Sequence, residues 1–314
     1  MLNKYSTFII SIFTATLLMF SNVNAEVKVV ASIKPIHSLV SYVMDGVGKP
    51  SIIVDGSNSP HNFNLKPSNA KDIENADIIF WVGEDIESFL EKPLKSISKK
   101  AKVIEMMDIK GINKLKFRER NIFEEHEGHD DHGHGKKEKH DDHGHAHGEY
   151  DPHIWLSPHN AEVMVEEIAN QLAAIDPQNA AAYKKNSKNA IDDIEKLIKE
   201  TKKEMKKGIS YIVFHDAYQY FEKEFNVSAL GALTLNTDVA PGAKQISEIK
   251  EIIEHENVKC LFSEPQFNPD IIKSIAKGTN VKVGVLDPLG ANLENGKELY
   301  FKLIKDISSS LKKC

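Results

Sequence analysis

Short runs of consecutive apolar, largely β-branched residues alternate with stretches of helical period along most of this chain. Residues 27–33, 51–54, 78–82 and 102–105 read as strands, and residues 36–47 and 86–96 between them carry an amphipathic helical period. Strands that are apolar on both faces belong in parallel sheets covered by helices on either side. The pattern stops at residue 116 and resumes after 150. Ser157-Pro158-His159-Asn160 then has the form of a helix start, ahead of an apolar-periodic run to Ala174. Asp176-Pro177 opens another helix, with Asp as N-cap and Pro in the first turn, and nothing breaks it before Gly208. A helix over 177–207 would be a rod of about 45 Å at ~1.5 Å per residue. That exceeds the width of one small domain, so it is predicted to be a rigid link between two. Beyond it, residues 211–214, 227–230, 258–262 and 281–286 read as strands, with helices from about Asp216, Ala243, Pro269 and Leu293. The predicted fold is α/β: two lobes, each a four-stranded mainly parallel sheet flanked by helices, joined by one long helix. Residues 26–157 form the N-terminal lobe, 158–207 the helices with the linker at 177–207, and 208–314 the C-terminal lobe.

Composition adds a compartment. Residues 1–25 hold one charge, Lys4, ahead of an apolar core, and end in Val23-Asn24-Ala25, with small residues where a signal peptidase cuts. An export signal is expected there. No cysteine follows the cut to take a lipid, and no later run is long and apolar enough to span a bilayer. The expected product is an exported, soluble monomer of the periplasm. The full chain's formal charge is −6 with no basic stripe, which argues against nucleic acid as a partner. The only two cysteines are Cys260 and Cys314. In an oxidising compartment a bridge between them is favoured over two free thiols and would tie the last residue to a strand.

The interruption at 116–150 changes the chemical picture. Eight of the fourteen histidines lie in it, His126, His129, His132, His134, His140, His143, His145 and His147, spaced by Asp, Glu, Gly and Lys. With so few apolar residues it reads as a long solvated loop. Imidazoles and carboxylates at such short intervals form a low-specificity net for borderline divalent cations, zinc foremost.

Four further candidates fall at or near the carboxyl ends of predicted strands, where ligands of open α/β sheets sit. His61 lies in the loop after 51–54, His215 follows 211–214, and Asp287 follows 281–286. His153 lies in the segment that leaves the histidine-rich loop, next to the apolar pair Ile154-Trp155 that would fix its backbone. Two from each lobe would clamp a cation in the cleft between them. Three neutral imidazoles with a carboxylate or water suit tetrahedral Zn²⁺. Manganese would call for more oxygen donors. His159 is a reserve candidate, while His37 and His255 fit helical patterns as ordinary packing or surface residues. Glu264 ends a strand and is placed to orient an imidazole by accepting its N–H.

The stretches Ser59-Pro60-His61-Asn62-Phe63-Asn64-Leu65-Lys66-Pro67-Ser68, Asp151-Pro152-His153-Ile154-Trp155-Leu156-Ser157-Pro158, Phe214-His215-Asp216-Ala217-Tyr218, Ser263-Glu264-Pro265-Gln266 and Leu286-Asp287-Pro288-Leu289-Gly290 occur in one order over the whole exported chain. In them the chain resembles the solute-binding proteins of high-affinity zinc uptake ABC transporters, the zinc branch of the metal-binding lipoprotein or adhesin group. The resemblance implies a bilobal fold on a rigid helix, zinc as cargo, and the permease and ATPase of a zinc ABC transporter as partners. It also separates metals, since the manganese branch tends to place Glu where His215 stands. Some zinc members carry Glu before the first histidine; Pro60 stands there in this chain, which leaves Asp287 or a water as fourth ligand. Alternatives are a manganese carrier of the same group, a zinc-buffering or adhesive protein with no permease, and a zinc hydrolase. The last lacks a His-Glu-x-x-His helix, so no enzyme activity is expected.

Overall fold

The structure, a computed structural model, describes residues 26–122, 148–235, 237 and 241–314. The predicted export segment and the eight clustered histidines lie outside them. The first sheet contains β1 (Val29–Ile33), β2 (Ser51–Val54), β3 (Ile78–Trp81) and β4 (Lys102–Glu105), in the order β2-β1-β3-β4 and all parallel. The second contains β5 (Tyr211–His215), β6 (Gly231–Thr234), β7 (Cys260–Ser263) and β8 (Lys282–Val285), in the matching order β6-β5-β7-β8, again parallel. The strands β1, β3, β5 and β7 are buried throughout, as their unbroken apolar runs require. The edge strands β4 and β8 are the more exposed ones.

The connecting helices of the first lobe are α1 (Lys34–Val43), α2 (Pro67–Asn75) and α3 (Glu84–Ser96). Those of the second are α6 (Gln219–Phe225), α7 (Ala243–His255) and α8 (Asp270–Ala276). Between the lobes run α4 (Pro158–Ile175) and α5 (Ala180–Glu204), packed along one another. Ser157 caps α4, its side chain accepting from Asn160 N at 3.2 Å. The linking helix is shorter than the sequence predicts. Residues Pro177–Asn179 form a 3₁₀ turn, closed by Asp176, whose Oδ2 accepts from Asn179 Nδ2 and Tyr183 Oη. At the other end Met205 takes extended backbone and leaves the helix before Gly208.

Two other expectations shift. The predicted strand 227–230 is the approach to β6, which begins four residues later at Gly231. Asn226 takes a left-handed φ of 52° to end α6, and the chain spends the next residues climbing back to the sheet. The predicted loop 116–150 is ordered at both described ends: Lys116 pairs with Tyr150, and Ile122 pairs antiparallel with Gly231 on the free edge of β6. A Cβ on Gly231 would meet Asn121 O at 2.5 Å, so only glycine admits that approach.

The end of the chain does not stay in the second lobe. The final helix α9 (Leu299–Lys312) returns to pack on α1 and α5 of the first lobe and the spine. On the way, Lys34 Nζ donates to Ala291 O and Leu293 O, and Ser38 Oγ donates to Lys297 O. Cys260 and Cys314 form a disulfide, anchoring the last residue to β7.

Candidate metal centre

Each histidine is set in place by a different device. His61 lies in the turn after β2, where Ser59 Oγ accepts its backbone N–H at 3.3 Å. His153 is fixed by Asp151, whose Oδ1 accepts from both its backbone N at 2.9 Å and its ring Nδ1 at 2.6 Å. The residues after it, Ile154–Leu156, form a fully buried 3₁₀ turn, the apolar anchor expected of Ile154-Trp155. His215 is the last residue of β5, and its Nδ1 lies 2.8 Å from the carboxylate of Glu264, just past β7. The carboxylate of Glu264 thus lies within hydrogen-bonding reach of the His215 ring.

The three rings converge. Their centroids are 5.5 Å apart for His61 and His153, 5.7 Å for His61 and His215, and 5.2 Å for His153 and His215. One ring nitrogen from each lies within 4.8 Å of the other two, the one such cluster among the described residues. The Nε2 atoms of His153 and His215 face one another at 3.3 Å. With each Nδ1–H directed at a carboxylate, both Nε2 atoms present lone pairs, an arrangement that needs a shared positive charge between them. For tetrahedral zinc with bonds of ~2.0–2.1 Å, ligand nitrogens stand ~3.3 Å apart. The observed pair already has that spacing. The crevice around them, walled by Ser59, Pro60, Trp155, Phe267 and Leu289, encloses about 10 Å³. It admits a single ion or water and excludes an organic solute.

The electrostatics fit a cation. Burial lowers the pKa of His153 well below the ordinary imidazole value, and the positive charge of His215 adds to this, so its ring stays neutral. Burial also pulls His215 down, but the charge and hydrogen bond of Glu264, with Asp216 and Asp151 behind, leave its pKa raised. Asp151 is pushed up to about 7 by burial, against the bonds from His153 and Gln219. In the metal-free pair, a proton on His215 would therefore compete for the place suited to a metal.

Asp287 does not join the cluster. Its Oδ1 accepts from Leu289 N, Gly290 N and Gln266 Nε2, and its Oδ2 from Ala291 N, so the carboxylate is engaged in shaping the turn after β8. Short side chains that cap their own backbone in this way are common after strands, and the Asp-Pro-Leu-Gly sequence carries that signal. His159 is exposed and sits against Glu162 at 3.0 Å, away from the centre. His37 is a buried packing residue, with Nε2 3.1 Å from Pro50 O. Asp151 is a functional neighbour that sequence reasoning passed over, although its place two residues before His153 could have revealed it. Gln219, which donates to Asp151 Oδ2 at 2.6 Å, and Tyr220, which donates to Asp151 O at 2.7 Å, come from α6 and left no local signal.

Two α/β lobes clasping three imidazoles around room for one ion define a metal-ion solute-binding protein. The chain belongs to the family described as zinc-uptake complex component A, periplasmic, whose model matches residues 29–314. Among curated proteins it is 45% identical over 335 residues to the high-affinity zinc uptake system protein ZnuA of Brucella abortus (strain 2308), covering 100% of this chain and 99% of that one. It is 35% identical over 294 residues to the protein of the same description from Yersinia pestis, with 92% of each covered. A crystal structure of ZnuA superposes with a TM-score of 0.73 at 22% identity, over 91% of this chain and 100% of that one, and so shares the fold.

Proposed function

We propose that this protein captures Zn²⁺ in the periplasm and delivers it to the membrane permease of an ATP-driven importer. The supporting observation is the facing pair His153 and His215, each ring set by a buried carboxylate, with His61 closing the third side. Zinc binds the three Nε2 or Nδ1 lone pairs directed at the crevice. A water is the fourth ligand, since Asp287 is engaged elsewhere. Asp151 and Glu264 hold the rings in the tautomer that offers nitrogen to the metal and strengthen them as donors. Loading displaces the proton from His215. His126, His129, His132, His134, His140, His143, His145 and His147 gather zinc weakly, and the export segment 1–25 is removed before the protein acts.

The test is zinc titration against a chromophoric chelator. One tight ion is expected in the full chain, lost in His61→Ala, His153→Ala and His215→Ala. Deleting residues 124–147 should remove the weak ions and leave the tight one; loss of the tight ion on that deletion would refute the assignment. Delivery is tested by zinc-stimulated ATP hydrolysis of the reconstituted transporter, with no stimulation by His215→Ala as the expected result.

A further inference from the structure

The segment 115–122 that leads into the histidine-rich stretch is bonded into the walls of the cation site. Leu115 N donates to Tyr220 Oη at 2.9 Å, and Leu115 O accepts from Asp151 N at 2.8 Å. Lys116 O accepts from Gln219 Nε2, the same amide that holds Asp151. Asn121 O accepts from Ala232 N at 2.8 Å, and Asn121 Nδ2 reaches Ala232 O and Leu233 O. Midway along this stem stands Arg118.

Its guanidinium spans two buried carboxylates. Nη1 lies 2.6 Å from Asp216 Oδ1 and Nη2 lies 2.5 Å from Glu222 Oε2, and those acid side chains are only 4% and 3% exposed. Asp216 immediately follows His215, and its backbone N donates to Thr234 O at 3.2 Å. Glu222 also accepts through Oε1 from Tyr211 Oη and Ala229 N. Arg118 therefore ties Asp216, the residue directly after β5, to Glu222 of α6, which in turn holds Tyr211 at the start of β5. A planar fork with two parallel donors suits this bridge; a lysine could satisfy one side of it.

We infer that Arg118, on the stem of the histidine-rich segment, is a positioning residue for the cation site, fixing the corner after β5 so that His215 Nε2 meets His153 Nε2. The inference rests on the proposed three-histidine site. Metal ligands have to be held within about half an ångström of their working geometry by the residues around them. Without the guanidinium, two neighbouring buried carboxylates lose their counter-charge and push the corner apart. Neutralising both acids together with the arginine removes that push.

The experiment compares Arg118→Met, Arg118→Lys and the triple variant Arg118→Met/Asp216→Asn/Glu222→Gln with the parent chain and with exposed Arg120→Met. The readouts are tight-site zinc affinity by chelator competition and the visible spectrum with one equivalent of cobalt(II), which reports ligand geometry. Arg118→Met is expected to lose about tenfold or more in affinity and to shift the cobalt bands. Arg118→Lys should lose less, the triple variant should recover to within about threefold of the parent, and Arg120→Met should change nothing. Parent affinity and spectrum in Arg118→Met overturn the inference, as does a triple variant no better than it. If Arg118→Met does not fold, Arg118→Lys decides: no change in affinity or spectrum overturns the inference. His215→Ala separates the two levels. Tight zinc retained there refutes the site itself, whereas zinc lost there but unaffected by Arg118 substitution refutes only the role of the arginine.

Discussion

Trp155 Nε1 donates to Pro288 O at 2.8 Å, joining the turn that follows His153 to the turn that follows β8 in the other lobe. Tyr300 Oη donates back to Trp155 O at 2.9 Å from α9. With Lys34 on Ala291 O and Leu293 O, these bonds fasten the lobes on the side of the cation as well as along the spine. A cleft held at both places has no free hinge. X-ray scattering of the zinc-free and zinc-loaded protein should therefore give superimposable profiles, and a large compaction on loading would contradict this arrangement.

The carboxylates behind the rings set the strength of the site. Asp151→Asn and Glu264→Gln should each weaken tight zinc binding by about 10–100-fold while leaving one ion bound. Competition titration measures this directly. An unchanged affinity in both would mean the rings are oriented by something else.

Asp287 should behave differently from those two. Asp287→Ala removes the acceptor of four hydrogen bonds at the turn, three of them from backbone N–H groups. Its effect belongs mainly to folding, a loss of about 1–3 kcal/mol by chemical unfolding, with tight zinc affinity reduced by less than about tenfold. A larger affinity loss with unaltered stability would restore Asp287 as a ligand.

Acid should release the cargo, in a direction fixed by His215. Its raised pKa means that protonation of the empty site begins above the ordinary imidazole range, and zinc must displace that proton. Affinity should be flat at alkaline pH and fall as pH drops through that raised value toward 5. Calorimetry in buffers of different ionisation enthalpy should show net proton release on loading that grows as the pH falls. Affinity independent of pH between 7.5 and 5 would exclude imidazole ligands.

The bridge between Cys260 and Cys314 closes a span of 54 residues far from the rings. Replacing both with Ser should lower unfolding free energy by about 2–4 kcal/mol and leave zinc affinity untouched. Coupled loss of both would tie the C-terminus to the site.

Strand and helix order was legible in the chain because each depends on near neighbours. Runs such as Ile78-Ile79-Phe80-Trp81 are apolar on both faces and can only be interior strands, and the matched strand orders of the two lobes follow from repeated strand-helix units. The misplaced β6 shows the limit. Val227 to Leu230 have the right composition, yet Gly231–Thr234 fill the strand because Asn226 ends α6 and Asn121 needs a glycine against its carbonyl. Likewise, Asp176-Pro177 announced a helix whose first turn tightened to 3₁₀.

The residue types themselves fixed the chemistry: imidazoles at strand ends, a carboxylate near them, an acidic histidine-rich insert, and a family likeness in five short stretches. What only the folded molecule decided is which of these groups share a point in space. Positions 61, 153 and 215 are brought together by two sheets, a spine and a returning C-terminal helix, so the 3.3 Å approach of His153 to His215, with His61 beside them, is a property of packing between lobes that no local pattern records. The same packing turned Asp287 inward to its own backbone, set Asp151 and Glu264 behind the rings, and placed Arg118 between two acids from a distant helix corner.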